Sequence, residues 1–293
     1  MRFAGKNNGF SLLELLISLA TLLIVSGSAF EVLSYYQKAY LSTEMRADVH
    51  SGIRAALALM TQEVTQAGLL ASSQKTVHSA VSKNVNAQSV SLDPSTTDIF
   101  DGEKVMVDTG SSQEIVSVTS HTSSSITGIF TKDHNAGTIV TAVGMFPEGI
   151  LPSSSDTELR LLGDLNGDGT LAYAWYDCDP TTGNLSRSVN KFSALPNVSP
   201  PQLLMDHVVA NPNGAPCFQY ITTTVRGFTF TTGVAITITV QTSTNDPRTG
   251  TFATVTESLL NVSPRNVLAG LENARTNLRT RLQPTPTNIP WPS

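Results

Sequence analysis

Residues 10–30 read FSLLELLISLATLLIVSGSAF, an apolar run of about 21 residues whose one charge is Glu14. A helix of about 20 apolar residues spans a bilayer core, so this stretch is long enough to cross once. The nine residues before it, MRFAGKNNG, carry Arg2 and Lys6 and no acid. Positive charge on that side keeps the N-terminus cytoplasmic and sends the rest outward. Three readings compete at this level. A cleaved secretory signal is one, since Gly27-Ser28-Ala29 offers a small-x-small cleavage site. A plain signal anchor is another. The third gives Glu14 a task. An ionised carboxylate at a bilayer centre costs about 2.5–3.5 kcal/mol, less near a helix end, and a mechanical anchor gains nothing from it.

Working outward, no proline interrupts the chain before Pro94. From Val49 the apolar residues Ile53, Ala56, Leu57, Met60, Val64 and Ala67 recur in steps of three and four, a helical stripe, with Arg54, Gln62 and Glu63 among the polar residues between them. Gly68 is a natural stop. The pattern predicts one helix from about Phe10 to Ala67, roughly 85–90 Å long at 1.5 Å per residue. Its parts are a transmembrane segment, 10–33, and an amphipathic half, 34–68. Gly27 and Gly52 are candidate flexible points.

Beyond the helix the signal turns to strand. Residues 69–100, rich in Ser, Thr and Asn and containing Asp93-Pro94, read as a loop with one short strand. Short apolar runs at 104–108, 114–118, 125–130 and 138–141, separated by turn residues, predict a small β-module over 102–143, barrel-like and inserted in a head that spans 69–266. A hairpin turning at Asp179–Asn184 follows, then a long pair, 234–240 with 252–257, turning at Asn245–Gly250. The expected fold is α+β: a lollipop in which a long N-terminal helix packs on a mostly antiparallel sheet. Val267, Leu268, Leu271, Leu278 and Leu282 fall on one side of a short helix over 267–282. The tail to residue 293, with four prolines from Pro284 on, reads as extended or disordered.

Composition removes other classes. Of 293 residues 40% are hydrophobic and 14% charged, which is too apolar for a disordered chain. Lys and Arg number 18 against 23 Asp and Glu, a net charge of −5. That balance argues against a nucleic-acid coat and against a polybasic membrane binder, both of which need a basic face. No P-loop, dinucleotide fingerprint or G-x-S-x-G elbow is present. His50, His78, His121, His134 and His207 have no metal-binding spacing and read as scattered surface residues. No enzyme is expected.

Gly9-Phe10-Ser11-Leu12-Leu13-Glu14, ahead of a long apolar helix, resembles the type IV prepilin signature. The resemblance implies cleavage after Gly9 by an inner-membrane prepilin peptidase and N-methylation of the new terminus, Phe10. It also implies that Glu14, fifth in the mature chain, pairs with the terminal amine of a neighbouring subunit. The physics agrees, because a buried charge is tolerable when paired. Arg54-Ala55-Ala56-Leu57, Glu63-Val64-Thr65-Gln66-Ala67-Gly68 and the SLLNVSPRNVL run after Glu257 resemble the PilW-type minor pilins. The likeness covers the first 68 residues well and 158–266 loosely, but neither 102–143 nor the last stretch. It implies a minor pilin of a type IV pilus, acting in assembly, priming or at the tip. Its partners would be prepilin peptidase, other minor and major pilins and the inner-membrane assembly platform. It would lie in the inner membrane first and in the periplasm or on the surface after assembly. A minor pseudopilin of a type II secretion system shares the same helix. A surface adhesin or DNA-uptake tip, and a signal-cleaved periplasmic β-protein, are the readings from other classes.

Two smaller motifs remain. Asp164-Leu165-Asn166-Gly167-Asp168-Gly169 matches the first half of an EF-hand-type calcium loop, D-x-N-x-D-G. The glutamate due at position 12 is replaced by Trp175, which leaves Asp177 or Asp179 to serve; the competing reading is a plain turn. Calcium is thus the one candidate cofactor, with Asp164, Asn166, Asp168 and Asp177 as its ligands. Cys178 and Cys217 are the only cysteines. Export would oxidise them to a disulfide, as is common in the C-terminal region of pilins, and two free thiols are the alternative.

Overall fold

The computed structural model describes residues 11–70, 74–142, 144–194, 197–287 and 289. The fold is α+β, a long apolar N-terminal helix followed by antiparallel sheets. Two compact units divide it. One holds the helix as far as His50 together with Thr242–Ala253; the other holds Ser51–Gln241 and the chain from Thr254 on.

The helix α1 runs unbroken over Leu12–Gln66, 55 residues, through Gly27 and Gly52 alike. At 1.5 Å per residue it is about 80 Å long. Its stop is Gly68, whose φ of +91° suits glycine. The Gly68 N–H donates to the Leu162 carbonyl at 2.8 Å, and its own carbonyl accepts from the Phe146 N–H at 2.8 Å. A β-carbon there would also stand 2.7 Å from Val267 Cγ2. Ile53, Ala56, Leu57, Met60, Val64 and Ala67 are buried, as the stripe requires, while Val49 is half-buried.

In the first unit, Asp246 on the loop Thr242–Ala253 binds the helix. Its Oδ2 accepts from the Ser42 hydroxyl at 2.8 Å and from Arg46 Nη2 at 3.0 Å, and its Oδ1 accepts from the Arg248 N–H at 2.9 Å. These donors, the Arg248 amide first, hold the carboxyl down at about 2. A depressed carboxylate contributes stability above its unfolded value, about 4, and loses that contribution as pH falls through the folded one. Asp246→Asn is therefore expected to melt below the parent at pH 7, with the gap closing between about pH 4 and pH 2. Melting temperatures across that range check it; a gap independent of pH contradicts it.

In the second unit, seven short strands come first. They are β1 (Lys75–Val77), β2 (Gln88–Asp93), β3 (Lys104–Val107), β4 (Glu114–Ser117), β5 (Ser120–His121), β6 (Ser125–Gly128) and β7 (Ile139–Ala142). Their order is β4-β3-β7-β1-β2-β6-β5, antiparallel throughout. Only Val118 and Thr119 separate β4 from β5, and the Thr119 N–H donates to the Thr127 carbonyl at 2.8 Å. One ribbon thus pairs with β3 at its start and β6 at its end, and the ring closes into a small barrel without a long free edge. Val90, Leu92, Val105, Val107, Val116, Ile126, Phe130 and Val140 belong to its core. Two staves, β1 and β2, come from 69–100, where the sequence suggested one. The closed sheet therefore draws on Lys75–Asp93 as well as on the 102–143 stretch.

A four-stranded sheet follows, of β8 (Glu158–Gly163), β9 (Ala172–Asp179), β10 (Asn184–Lys191) and β11 (Gln202–Met205), in the order β11-β10-β9-β8. The last sheet is built on a long strand. β12 (Val208–Val209), β13 (Phe218–Val225) and β15 (Thr254–Val262) all pair with β14 (Phe228–Gln241). Arg226 and Gly227, at φ 51° and 86°, make the two-residue turn from β13 to β14. A disulfide joins Cys178 on β9 to Cys217 beside β13 and so ties the two sheets together.

The chain closes with α2 (Arg265–Arg275), whose Val267, Leu271 and Ala274 pack with Phe230 and Leu282. Leu278, expected on the same side, is exposed because α2 has already ended. The proline-rich segment after it is extended and docked, and Ile289 packs on the cluster of Phe100, Phe146 and Leu162. Met145 receives it on both sides: its N–H donates to Arg281 O at 3.0 Å and its carbonyl accepts from the Gln283 N–H at 2.9 Å. The Gln283 amide then pairs with the Lys104 backbone as a strand would, accepting from N–H at 2.9 Å and donating to C=O at 2.7 Å. Gly144 makes room for this approach, since a β-carbon there would lie 1.8 Å from the Arg281 carbonyl oxygen.

Candidate functional site

The first half of α1 is a bare helix. Every residue from Ser11 to Lys38 except Ser26 is exposed. Leu12 is 81% and Phe30 71% exposed, and none of the apolar window is buried. A soluble helix hides its leucines, so a bare apolar surface of this length needs lipid or another protein around it. The helix is long and apolar enough to cross a membrane. Tyr35, Tyr36 and Tyr40, all exposed, follow the apolar run beside Lys38, the residue types that collect where a span meets water.

Glu14 lies in the first turn of α1, inside that surface. Its backbone carbonyl accepts from the Ser18 hydroxyl at 2.8 Å, and its carboxylate has no partner among the described residues. The positive end of the helix favours an acid here. In an apolar setting the group still needs a cation. Gly9 and Phe10, the proposed processing residues, lie outside the described residues.

The structure places the other candidates as follows. Both carboxylate oxygens of Asp164 accept backbone N–H groups, from Asp168 at 3.0 Å and Gly169 at 3.1 Å. Asp168 accepts from the Thr170 N–H at 3.0 Å and pairs with Lys191 at 3.2 Å. Its carboxyl is lowered by the Thr170 hydroxyl first and by Lys191 next. Asn166 lies in the exposed turn. Asp177 sits apart on β9, opposite Glu158 and Ser186, where burial first and then Asp179 and Glu158 push its carboxyl up. Asp179 is engaged in its own turn by Thr181 and Thr182. Among the described residues no group of three or more His, Cys, Asp or Glu converges as a metal cage. The loop is closed by its own hydrogen bonds.

The sequence reading missed a buried charge cluster. Glu63, taken there as one of the polar residues between stripe positions, is 2% exposed and lies on the stripe itself. Its carboxylate accepts from the Tyr176 hydroxyl on β9 and forms an ion pair with Arg187 on β10. Arg187 Nε lies 3.3 Å from Glu63 Oε2 and 3.2 Å from the Tyr176 oxygen, and its guanidinium stands 5.9 Å from the Tyr176 ring centroid. Burial and then the Glu63 charge raise the Tyr176 hydroxyl, so it stays a donor. Burial pulls the Arg187 guanidinium down, but the Glu63 carboxylate outweighs it and the net direction is up. The signal was available: Glu63 follows Met60 by three and precedes Ala67 by four, the stripe's own spacing. The cluster fixes the rotation and height of α1 against β9 and β10.

His134 corrects the reading of five surface histidines. Its side chain is fully buried in the barrel, with Nδ1 3.2 Å from Asp108 Oδ2 and Nε2 2.7 Å from Glu114 Oε1. Glu114 also accepts from the Thr131 N–H at 2.8 Å and the Lys132 N–H at 3.2 Å. Burial opposes these donors and loses to them, so its carboxyl is lowered. The cluster clamps the 108–114 loop to residues 131–134, a structural task. No protein-family model, curated protein or solved structure matches the chain.

Proposed function

We propose that the chain is a minor pilin of a type IV pilus, of the PilW type, cleaved after Gly9 by prepilin peptidase and methylated on Phe10. It works in pilus assembly, in priming or at the tip. The observation that carries this reading is the bare apolar run of α1 as far as Phe30, with Glu14 as its one charge. A membrane explains the leucines. A filament explains the leucines and the acid together. In the membrane the carboxylate is a penalty; beside a neighbour's terminal amine it becomes a paired charge, so assembly is favoured over remaining in lipid. The second half of α1, locked by Glu63 and Arg187, holds the sheets to that helix. The barrel is then an addition carried by the head. Before assembly the chain sits in the inner membrane with its N-terminus cytoplasmic.

A deletion strain complemented with Glu14→Leu tests this. The variant is expected to accumulate in the inner membrane at parental levels and to be absent from sheared pili, with piliation falling as in the deletion. Glu14→Leu entering pili like the parent contradicts it. Intact pili with failed protein secretion in the deletion strain moves the assignment to a minor pseudopilin.

A further inference from the structure

A cavity of about 380 Å³ opens where the barrel meets the loop after β10 and the docked tail. Its size falls within the range of small-molecule sites, about 300–1,000 Å³. Thr97, Phe100, Asp101, His121, Thr122 and Ser123 come from the barrel, Phe192 and Ser193 from the short turn after β10, and Pro286 and Thr287 from the tail. Three remote stretches of chain thus converge on one hollow, and the tail wall is held there by Gln283 on β3, by the Met145 backbone and by the Thr285 hydroxyl, which donates to Glu148.

Its chemistry is specific in kind. Phe100 and Phe192 meet edge to face, centroids 5.8 Å apart; Phe100 is buried and Phe192 half-buried, which leaves the Phe192 ring as the apolar wall. Around it runs a polar rim. His121 Nδ1 lies 2.8 Å from Asp101 Oδ1, both side chains being partly exposed, at 30% and 62%. That bond orients the imidazole and leaves Nε2 and Asp101 Oδ2 without a partner among the described residues. The hydroxyls of Ser123, Ser193 and Thr287 likewise make no hydrogen bond to the described residues. Thr122 is used internally by Ser125, and Thr97 by Ser95.

We infer that this cavity is a binding site for a neutral saccharide ring. The choice follows from what each ligand class would leave unpaired. An anion would face the Asp101 carboxylate with no Lys or Arg in the lining. A hydrocarbon would desolvate the carboxylate, the imidazole and three hydroxyls without compensation. A simple cation would use Asp101 and the Phe192 ring and leave the hydroxyls idle. A pyranose matches all of them. Its vicinal hydroxyls donate to Asp101 and to His121 Nε2, the acceptor nitrogen of a ring whose Nδ1–H is given to Asp101; its oxygens accept from the Ser and Thr hydroxyls, and its C–H face covers Phe192 and Pro286. The inference stands apart from the pilus assignment and survives if that fails.

The test uses the full chain in an ethoxylated, sugar-free detergent. Methyl glycosides of glucose, galactose and N-acetylglucosamine are titrated in turn while the His121 ring signals are followed by NMR. At least one sugar is expected to shift those signals saturably, with a dissociation constant of about 1 mM, typical of a ligand gaining roughly 4 kcal/mol. Asp101→Ala and Phe192→Ala, each folded by its amide spectrum, should weaken that binding at least tenfold. Circular dichroism on His121→Ala separates loss of the probe from loss of the fold. No saturable shift with any of the three sugars overturns the inference. So does binding unchanged in both Asp101→Ala and Phe192→Ala, or saturable shifts with lysine or choline chloride and none with sugar.

Discussion

Glu63→Ala is expected to destabilise the chain by about 3–5 kcal/mol, the usual cost of leaving a buried charge without its partner. Arg187 would then lie beneath α1 with its neutralising carboxylate gone, and Tyr176 would lose its acceptor. Removing both charges with hydrophobic replacements is a different experiment. Glu63→Leu with Arg187→Met should recover most of the loss, because two desolvated charges disappear together. Tyr176→Phe removes one hydrogen bond and should cost about 1 kcal/mol. Denaturant titration of the three variants and the parent in detergent gives the comparison. A double variant as unstable as Glu63→Ala would mean that packing of the helix stripe, not the ion pair, dominates there.

Breaking the Cys178–Cys217 disulfide is expected to have a similar effect. The two residues are 39 apart in sequence, and the chain-entropy relation gives about 4 kcal/mol for a loop of that size. Its place makes the effect local as well as global, since it is the covalent tie between β9 and the chain entering β13. Loss of the bond should therefore loosen the β12–β15 sheet before the barrel, whose ring of strands closes without it. Thermal melts with and without reductant, and hydrogen exchange on Cys178→Ala/Cys217→Ala, read both parts. An unchanged melting temperature under reduction contradicts this account.

Much of the fold was legible because local patterns and tertiary packing agree. The stripe from Ile53 to Ala67, the stop at Gly68, the turn at Asp179–Asn184 and the strands at 104–107, 114–117 and 125–128 follow from period and turn chemistry alone. What escaped depended on partners distant in sequence. β2 reads QSVSLD, and its serines hide an alternation that matters only once β1 and β6 flank it. β13 carried a usable signal, a Tyr-Ile-Thr-rich run ending at Arg226-Gly227, and was overlooked. Docking of the tail rests on Gly144 and on a glutamine side chain imitating a strand, which no periodicity encodes. Glu63 and His134 were misjudged for one shared reason: residue type suggested solvent, while spacing or distant carboxylates put them inside. At the Asp164 loop each carboxylate oxygen accepts one backbone N–H of the same loop, which suits a plain turn and a cation loop alike.

The assignment turns on what lies at the N-terminus of the mature chain. Mass spectrometry of the N-terminal peptide from membrane-extracted protein reads it directly. The account predicts a chain beginning at Phe10 and carrying one methyl group on its amine, with Glu14 retained as the fifth residue. A terminus at Phe30 would contradict it, because cleavage there discards Glu14 and the apolar surface around it, and with them the filament.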